Sequence, residues 1–123
     1  CIRDRHKILD ENISVNPTAV RVPVLVGHAE SIYIETEKEI DIELAKNCLN
    51  EFAGISVIDD VEEVDFPTSF EHGHGTDDVY VGRIRKGLSK NNSLNLWVVA
   101  DNVRKGAALN SIQIAENLVG SKM

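Results

Sequence analysis

Arg21-Val22-Pro23-Val24-Leu25-Val26-Gly27-His28 is an apolar, largely β-branched run that begins on a fixed cation and ends on a glycine and a titratable imidazole. β-branched residues fit a pleated surface, so the run reads as a strand from about Thr18 to His28, stiff enough to hold a site. Its arithmetic sets a condition. Seven residues of extended strand span roughly 23 Å, and an odd separation turns the two end side chains to opposite faces. Arg21 and His28 share one small substrate only if the chain bends between them. Pro23, which removes a ladder donor, and Gly27, which permits positive φ, are the residues able to bend it.

Working outward, Ser31-Ile32-Tyr33-Ile34-Glu35-Thr36 alternates in the manner of a half-buried strand. Asp41 reads as the N-cap of a helix with the apolar stripe Leu44, Ala45, Cys48, Leu49 and Phe52, ended by Gly54, and Cys48 is expected in the core. Ile55 to Ile58 forms a short strand, and Asp59 to Thr76 a long acidic loop in which mobility or a lineage-specific insertion is expected. Val79 to Arg85 and Leu94 to Val99 read as a hairpin, and Gly106 to Val119 as a last helix whose Ala107, Leu109, Ile112, Ala115 and Val119 make a broad apolar face. A helix that apolar wants a partner surface. Upstream, residues 1 to 10 read as the tail of an amphipathic helix and residues 12 to 17 as a loop. Strand, strand, helix, strand, strand, strand, helix is an α+β order, expected to give a mixed β-sheet with helices on one face.

A chain of 123 residues is one domain or part of one. With 20 acidic against 13 basic side chains, a net charge of −7 and no basic stripe, nucleic acid is not an expected partner. No apolar run approaches ~20 residues and no leader pattern is visible, so a soluble cytoplasmic protein without a membrane span is expected. Cys1 and Cys48 form neither a close-spaced pair nor a zinc knuckle. His72-Gly73-His74, with Glu71, Asp77 and Asp78, is the one grouping that suggests a metal. It has flanking glycines and no third histidine or close cysteine, so no specific metal site is expected.

Three blocks carry a resemblance: Arg21 to His28 with Ala29-Glu30-Ser31, Val81-Gly82-Arg83-Ile84-Arg85-Lys86, and the stretch from Leu96-Trp97-Val98-Val99-Ala100-Asp101-Asn102 to Ala115-Glu116. Together, in this order, they resemble the C-terminal half of aspartate-β-semialdehyde dehydrogenase, a match more specific than any one short motif. The resemblance implies an incomplete C-terminal domain of the glyceraldehyde-3-phosphate dehydrogenase type. Residues 1–101 would be part of the catalytic and dimerisation domain, and residues 102–123 a C-terminal helix packing on an N-terminal NADP-binding domain that this chain does not include. It further implies reduction of L-aspartyl-4-phosphate to L-aspartate-4-semialdehyde with NADPH and release of phosphate, on the way to lysine, methionine and threonine, in a homodimer or homotetramer.

By the same resemblance His28 is the acid/base catalyst, Arg21 holds the substrate α-carboxylate and Asn102 contacts the cofactor. The chemistry suits the residue types. An imidazole moves protons near neutral pH, a guanidinium grips a carboxylate with two parallel hydrogen bonds, and an amide both donates and accepts. Taken alone, each has a plainer reading: an exposed or satisfied histidine, a strand-end arginine in a surface ion pair, and a helix cap at Asn102, with Asn110 the weaker candidate for the cofactor. Arg83, Arg85, Lys86, Arg104 and Lys105 are read as solvated charges without a role. The family's cysteine nucleophile and Gly-rich cofactor turn match nothing in this chain and belong upstream. The isolated chain is therefore expected to be inactive. N-acetyl-γ-glutamyl-phosphate reductase, which shares the thioester logic, and a non-catalytic dimerisation module are the alternatives.

Overall fold

A computed structural model describes residues 7–60 and 62–120. Four strands, β1 (His28–Glu35), β2 (Ile55–Val57), β3 (Val79–Lys86) and β4 (Ser93–Ala100), form one sheet in the order β1-β4-β3-β2. β3 and β4 are the expected hairpin, β1 runs antiparallel to β4, and β2 is parallel to β3, so the sheet is mixed as the element order implied.

The opening run is not a strand. Residues 18–27 have no ladder partner, and a single strand, β1, replaces the two expected between Thr18 and Thr36. Pro23 is the physical reason at one end: Val24 N–H donates to Val22 O at 2.9 Å across it, a tight turn that folds the chain out of extension. Gly27 is the reason at the other, with φ of +89°. Val20, Val22, Val24 and Leu25 are left exposed. The helical tail expected over residues 1–10 falls largely on residues 1–6, as does Cys1, outside the described residues.

Helix α1 (Ile42–Glu51) begins where Asp41 accepts hydrogen bonds from Glu43 N and Leu44 N. Its inward stripe is Ile42, Ala45 and Leu49, packed with Ile55 and Val57 against the buried cluster Val81, Ile84 and Leu94. Cys48, expected in that core, is exposed, and so are Leu44 and Phe52. The i, i+3, i+7 row is the one that meets the sheet, and the 44/48/52 row lies a third of a turn away from it.

The other face of the sheet is covered by the acidic loop. Pro67 and Gly73 are buried, and Trp97 Nε1 donates to Pro67 O at 2.9 Å, over a fully buried Val99. Part of the loop in which composition suggested mobility is thus packed against the sheet. Glycine allows the contact: a Cβ at Gly73 would lie 2.9 Å from both Ser69 Cα and Val99 Cγ1.

After β4 the chain enters a π-helical turn (Arg104–Ala108), closed by Ala108 N–H to Val103 O, and continues as helix α2 (Leu109–Gly120). The helix thus begins before the expected Gly106. Ile112, Ile114 and Val119 are more than half exposed along α2. Among the described residues no helix is long and apolar enough to cross a membrane.

Candidate active-site cleft

β1 and β4 are paired so that His28 lies opposite Ala100. Period-2 alternation then puts His28 and Glu30 of β1 on the same face as Val98 and Ala100 of β4 and Val79 of β3. Those five residues, with Asn102, Lys105 and Gly106, line an open cleft of about 220 Å³ beneath the π-helical turn. His28 is exposed at its mouth.

Asp101 explains how Asn102 comes to face the cleft. It is the buried Asp101, not Asn102, that caps the following turn: its Oδ1 accepts from Val103 N at 2.9 Å and Arg104 N at 3.2 Å, and its Oδ2 from Gly75 N at 2.8 Å. With the cap supplied next door, the Asn102 amide is engaged by no described residue. The Gly75 amide above all holds the Asp101 carboxyl below the usual carboxylate range; burial opposes this, and the Arg104 and Val103 amides and the nearby His74 add to it. A depressed folded value contributes stability above the unfolded value near ~3.9 and loses it as pH falls through the folded one. Urea midpoints measured from pH 7 to pH 3 are therefore expected to fall less steeply below about pH 4 for Asp101→Asn than for the parent protein. Equal acid-side slopes would count against the role given to Asp101.

Lys105 Nζ donates to Gln113 Oε1 at 2.7 Å, which sets its ammonium at the cleft wall. Lys105, read from the sequence as a solvated charge without a role, lines the cleft, and so does Glu30, whose sequence reading is a carboxylate that neutralises a nearby cation or faces water. Glu30 was legible from its i, i+2 relation to His28, which fixes a shared face in any strand; Lys105 was not, because its position depends on how the turn after β4 folds back.

Arg21 does not line this cleft; it is exposed on the segment ahead of β1. The bend it needs is present, in the turn at Pro23 and the positive φ at Gly27. His28, Asn102 and Glu30 are thus brought together within the described residues, and Arg21 stands apart from them.

The other candidate grouping has mostly structural employment. His72 Nδ1 accepts Thr68 N–H at 3.1 Å, and its ring lies against Tyr80 with centroids 5.1 Å apart. His74 is exposed, and among the described residues no three His, Cys, Asp or Glu side chains converge as a metal site would require.

The family model described as semialdehyde dehydrogenase, dimerisation domain, matches residues 2–105. The chain belongs to that family. Aspartate-semialdehyde dehydrogenase of Shewanella violacea is 54% identical over 110 residues, covering 89% of this chain and 32% of that protein. The Aquifex aeolicus enzyme of the same name is 52% identical over a similar span. In three dimensions the crystal structure of aspartate semialdehyde dehydrogenase II from Vibrio cholerae, complexed with ASA, superposes with a TM-score of 0.89 and 47% identity over 99% of this chain and 36% of that one. A probable aspartate-semialdehyde dehydrogenase from Pseudomonas aeruginosa follows at 0.72 and 36% identity, covering 82% and 29%. This semialdehyde dehydrogenase dimerisation domain therefore spans about a third of the length of the relatives it matches.

Proposed function

We propose that the full-length protein is an aspartate-semialdehyde dehydrogenase, reducing L-aspartyl-4-phosphate to L-aspartate-4-semialdehyde with NADPH and releasing phosphate. The observation that carries this reading is the convergence of His28 and Asn102 on one cleft, in a fold 47% identical to an aspartate semialdehyde dehydrogenase solved with ASA.

In this reading His28 takes the proton of a cysteine thiol supplied by the N-terminal domain. The thiolate attacks the acyl carbon of the phosphorylated substrate, the C–O bond to phosphate breaks, and a thioester forms. His28 holds the proton through this step and returns it to the thiolate when the aldehyde departs. Its exposed position at the mouth of the cleft suits a group that must meet a nucleophile from another domain. Arg21, exposed on the bent segment before β1, would grip the substrate α-carboxylate with its two-pronged guanidinium.

The cleft suits a nicotinamide. The Asn102 amide is unengaged among the described residues, and a Cβ at Gly106 would meet only Asn102 Cβ, at 3.8 Å, so the wall there is open. Asn102 would hold the carboxamide by donating and accepting at once. NADPH, when bound, supplies the hydride that reduces the thioester. The exposed apolar side of α2 fits a helix that lies on the N-terminal domain, and the dimerisation in the family description fits a homodimer; a soluble cytoplasmic location is part of the same proposal.

The direct test is the reverse reaction. Purified full-length protein is expected to reduce NADP in the presence of L-aspartate-4-semialdehyde and phosphate, and the isolated 123-residue chain to be inactive because it supplies no nucleophile. Preference for N-acetyl-glutamate-5-semialdehyde would transfer the protein to the related reductase. Turnover by the isolated chain would overturn the thioester scheme.

A further inference from the structure

On the face of the sheet opposite His28, Arg83 and Arg85 line a second pocket, of about 340 Å³, with Ser31, Phe66, Leu96 and Trp97. In a regular strand Arg83 and Arg85 would share the face of Val81, which is the core. They do not, because β3 carries a bulge between Gly82 and Arg85 in which Arg83 and Ile84 together oppose Leu96. The extra residue restores Ile84 to the core beside Val81 and Leu94 and turns both arginines to the opposite face.

This arrangement carries strain and is held in place from inside. Arg83 has φ of +53°, a left-handed conformation that a long side chain rarely adopts. The Ile84 N–H, displaced from the ladder, donates to Asp59 Oδ1 at 3.3 Å. Asp59 is almost wholly buried, and Lys46 Nζ lies 2.9 Å from its other oxygen. A buried carboxylate, paired with the half-buried Lys46, thus fixes the backbone that presents the two guanidiniums.

Among the described residues both guanidiniums lack an acidic partner. Arg83 lies over the Phe66 ring at 5.7 Å, and Arg85 Nη1 donates to Arg83 O at 3.0 Å. Among the described residues neither pairs with a carboxylate, in a chain with 20 acidic side chains. Two arginines held on one pocket wall, beside a hydroxyl and two aromatic rings, match a planar oxyanion better than they match water.

We propose that this pocket is an oxyanion-binding site that takes a carboxylate between Arg83 and Arg85. The carboxylate is that of a free small organic acid; an acidic side chain of a second copy of this chain is the other outcome that the test separates. The inference is independent of the dehydrogenase reading. Titrating the full-length protein with succinate in a calorimeter, and measuring its self-association by analytical ultracentrifugation, separates the two sources. For a free acid, succinate binds saturably, Arg85→Gln weakens it at least tenfold, and self-association is unchanged. Absence of succinate binding together with self-association weakened at least tenfold by Arg85→Gln would give the pocket to a second copy and overturn the free-acid proposal. Arg85→Lys keeps the charge without the fork and is expected to follow Arg85→Gln; it also serves if the glutamine variant does not fold. Unchanged succinate binding and self-association in folded Arg85→Gln, or full retention in Arg85→Lys, would overturn the proposal.

Discussion

Full-length protein carrying His28→Ala is expected to lose about 10²–10⁴-fold in kcat while keeping its fold and its oligomeric state, the range associated with removing one positioned acid/base group. The ring stands exposed at the first residue of an edge strand, so its removal opens no cavity, and no described residue depends on it for a hydrogen bond. That separates the two consequences of the substitution. A proton-transfer role predicts a large fall in kcat with an unchanged urea midpoint. Activity within a few-fold of the parent enzyme would leave His28 a bystander and favour a module that only pairs subunits. Asn102→Ala tests the other side of the cleft and should not be used as the inactive control.

Gly82→Ala is expected to destabilise the protein by about 3 kcal/mol, the upper part of the range for overpacking a closed site. A Cβ there would overlap the Ile58 carbonyl oxygen and come within 2.6 Å of Pro67 Cδ. Neither neighbour can step aside cheaply. The Ile58 backbone is bound to β3 through its N–H to Val81 O at 2.9 Å, and Pro67 is buried and holds the Trp97 indole through its carbonyl. Because Gly82 begins the β3 bulge, the relief of this clash should also disturb Arg83. A urea midpoint equal to that of the parent protein would mean that the loop over this face packs less tightly than described.

Where local chemistry decided the structure, the sequence was readable. Asp41 announced α1, the alternation in Val79 to Val81 and Leu94 to Val99 announced the hairpin, and the element order announced a mixed sheet. The failures have a common cause. β-branching reports that a segment tolerates extension, but it says nothing of whether a neighbouring strand is there to pair with, so residues 18–27 read as strand and are not. Cys48 read as core because two apolar rows on one helix are equivalent until something chooses between them. The seating of Pro67 and Gly73 on the sheet was not legible, because composition does not register that they fit against a flat β-surface.

The bulge did leave a trace. Val79, Val81 and Ile84 are spaced by two and then by three, and that skipped beat is what sends two arginines to the far side. His28 and Asn102 were legible as residues from motif likeness, but their meeting was not, since it depends on the β1–β4 register and on Asp101 taking the cap. Arg21 was legible by likeness too, and the fold leaves it on an exposed bend away from them.

Gly27 and Gly73 touch so closely that a methyl group on Gly27 would stand 2.5 Å from the Gly73 carbonyl oxygen. The backbone immediately ahead of His28 is therefore keyed to a loop more than forty positions further along the chain. Insertions, tags or drifted residues around 69–74, where a surface loop would ordinarily absorb them without penalty, instead press on the hinge that aims the imidazole. Under the proposed function, changes there are expected to alter turnover without touching the cleft itself.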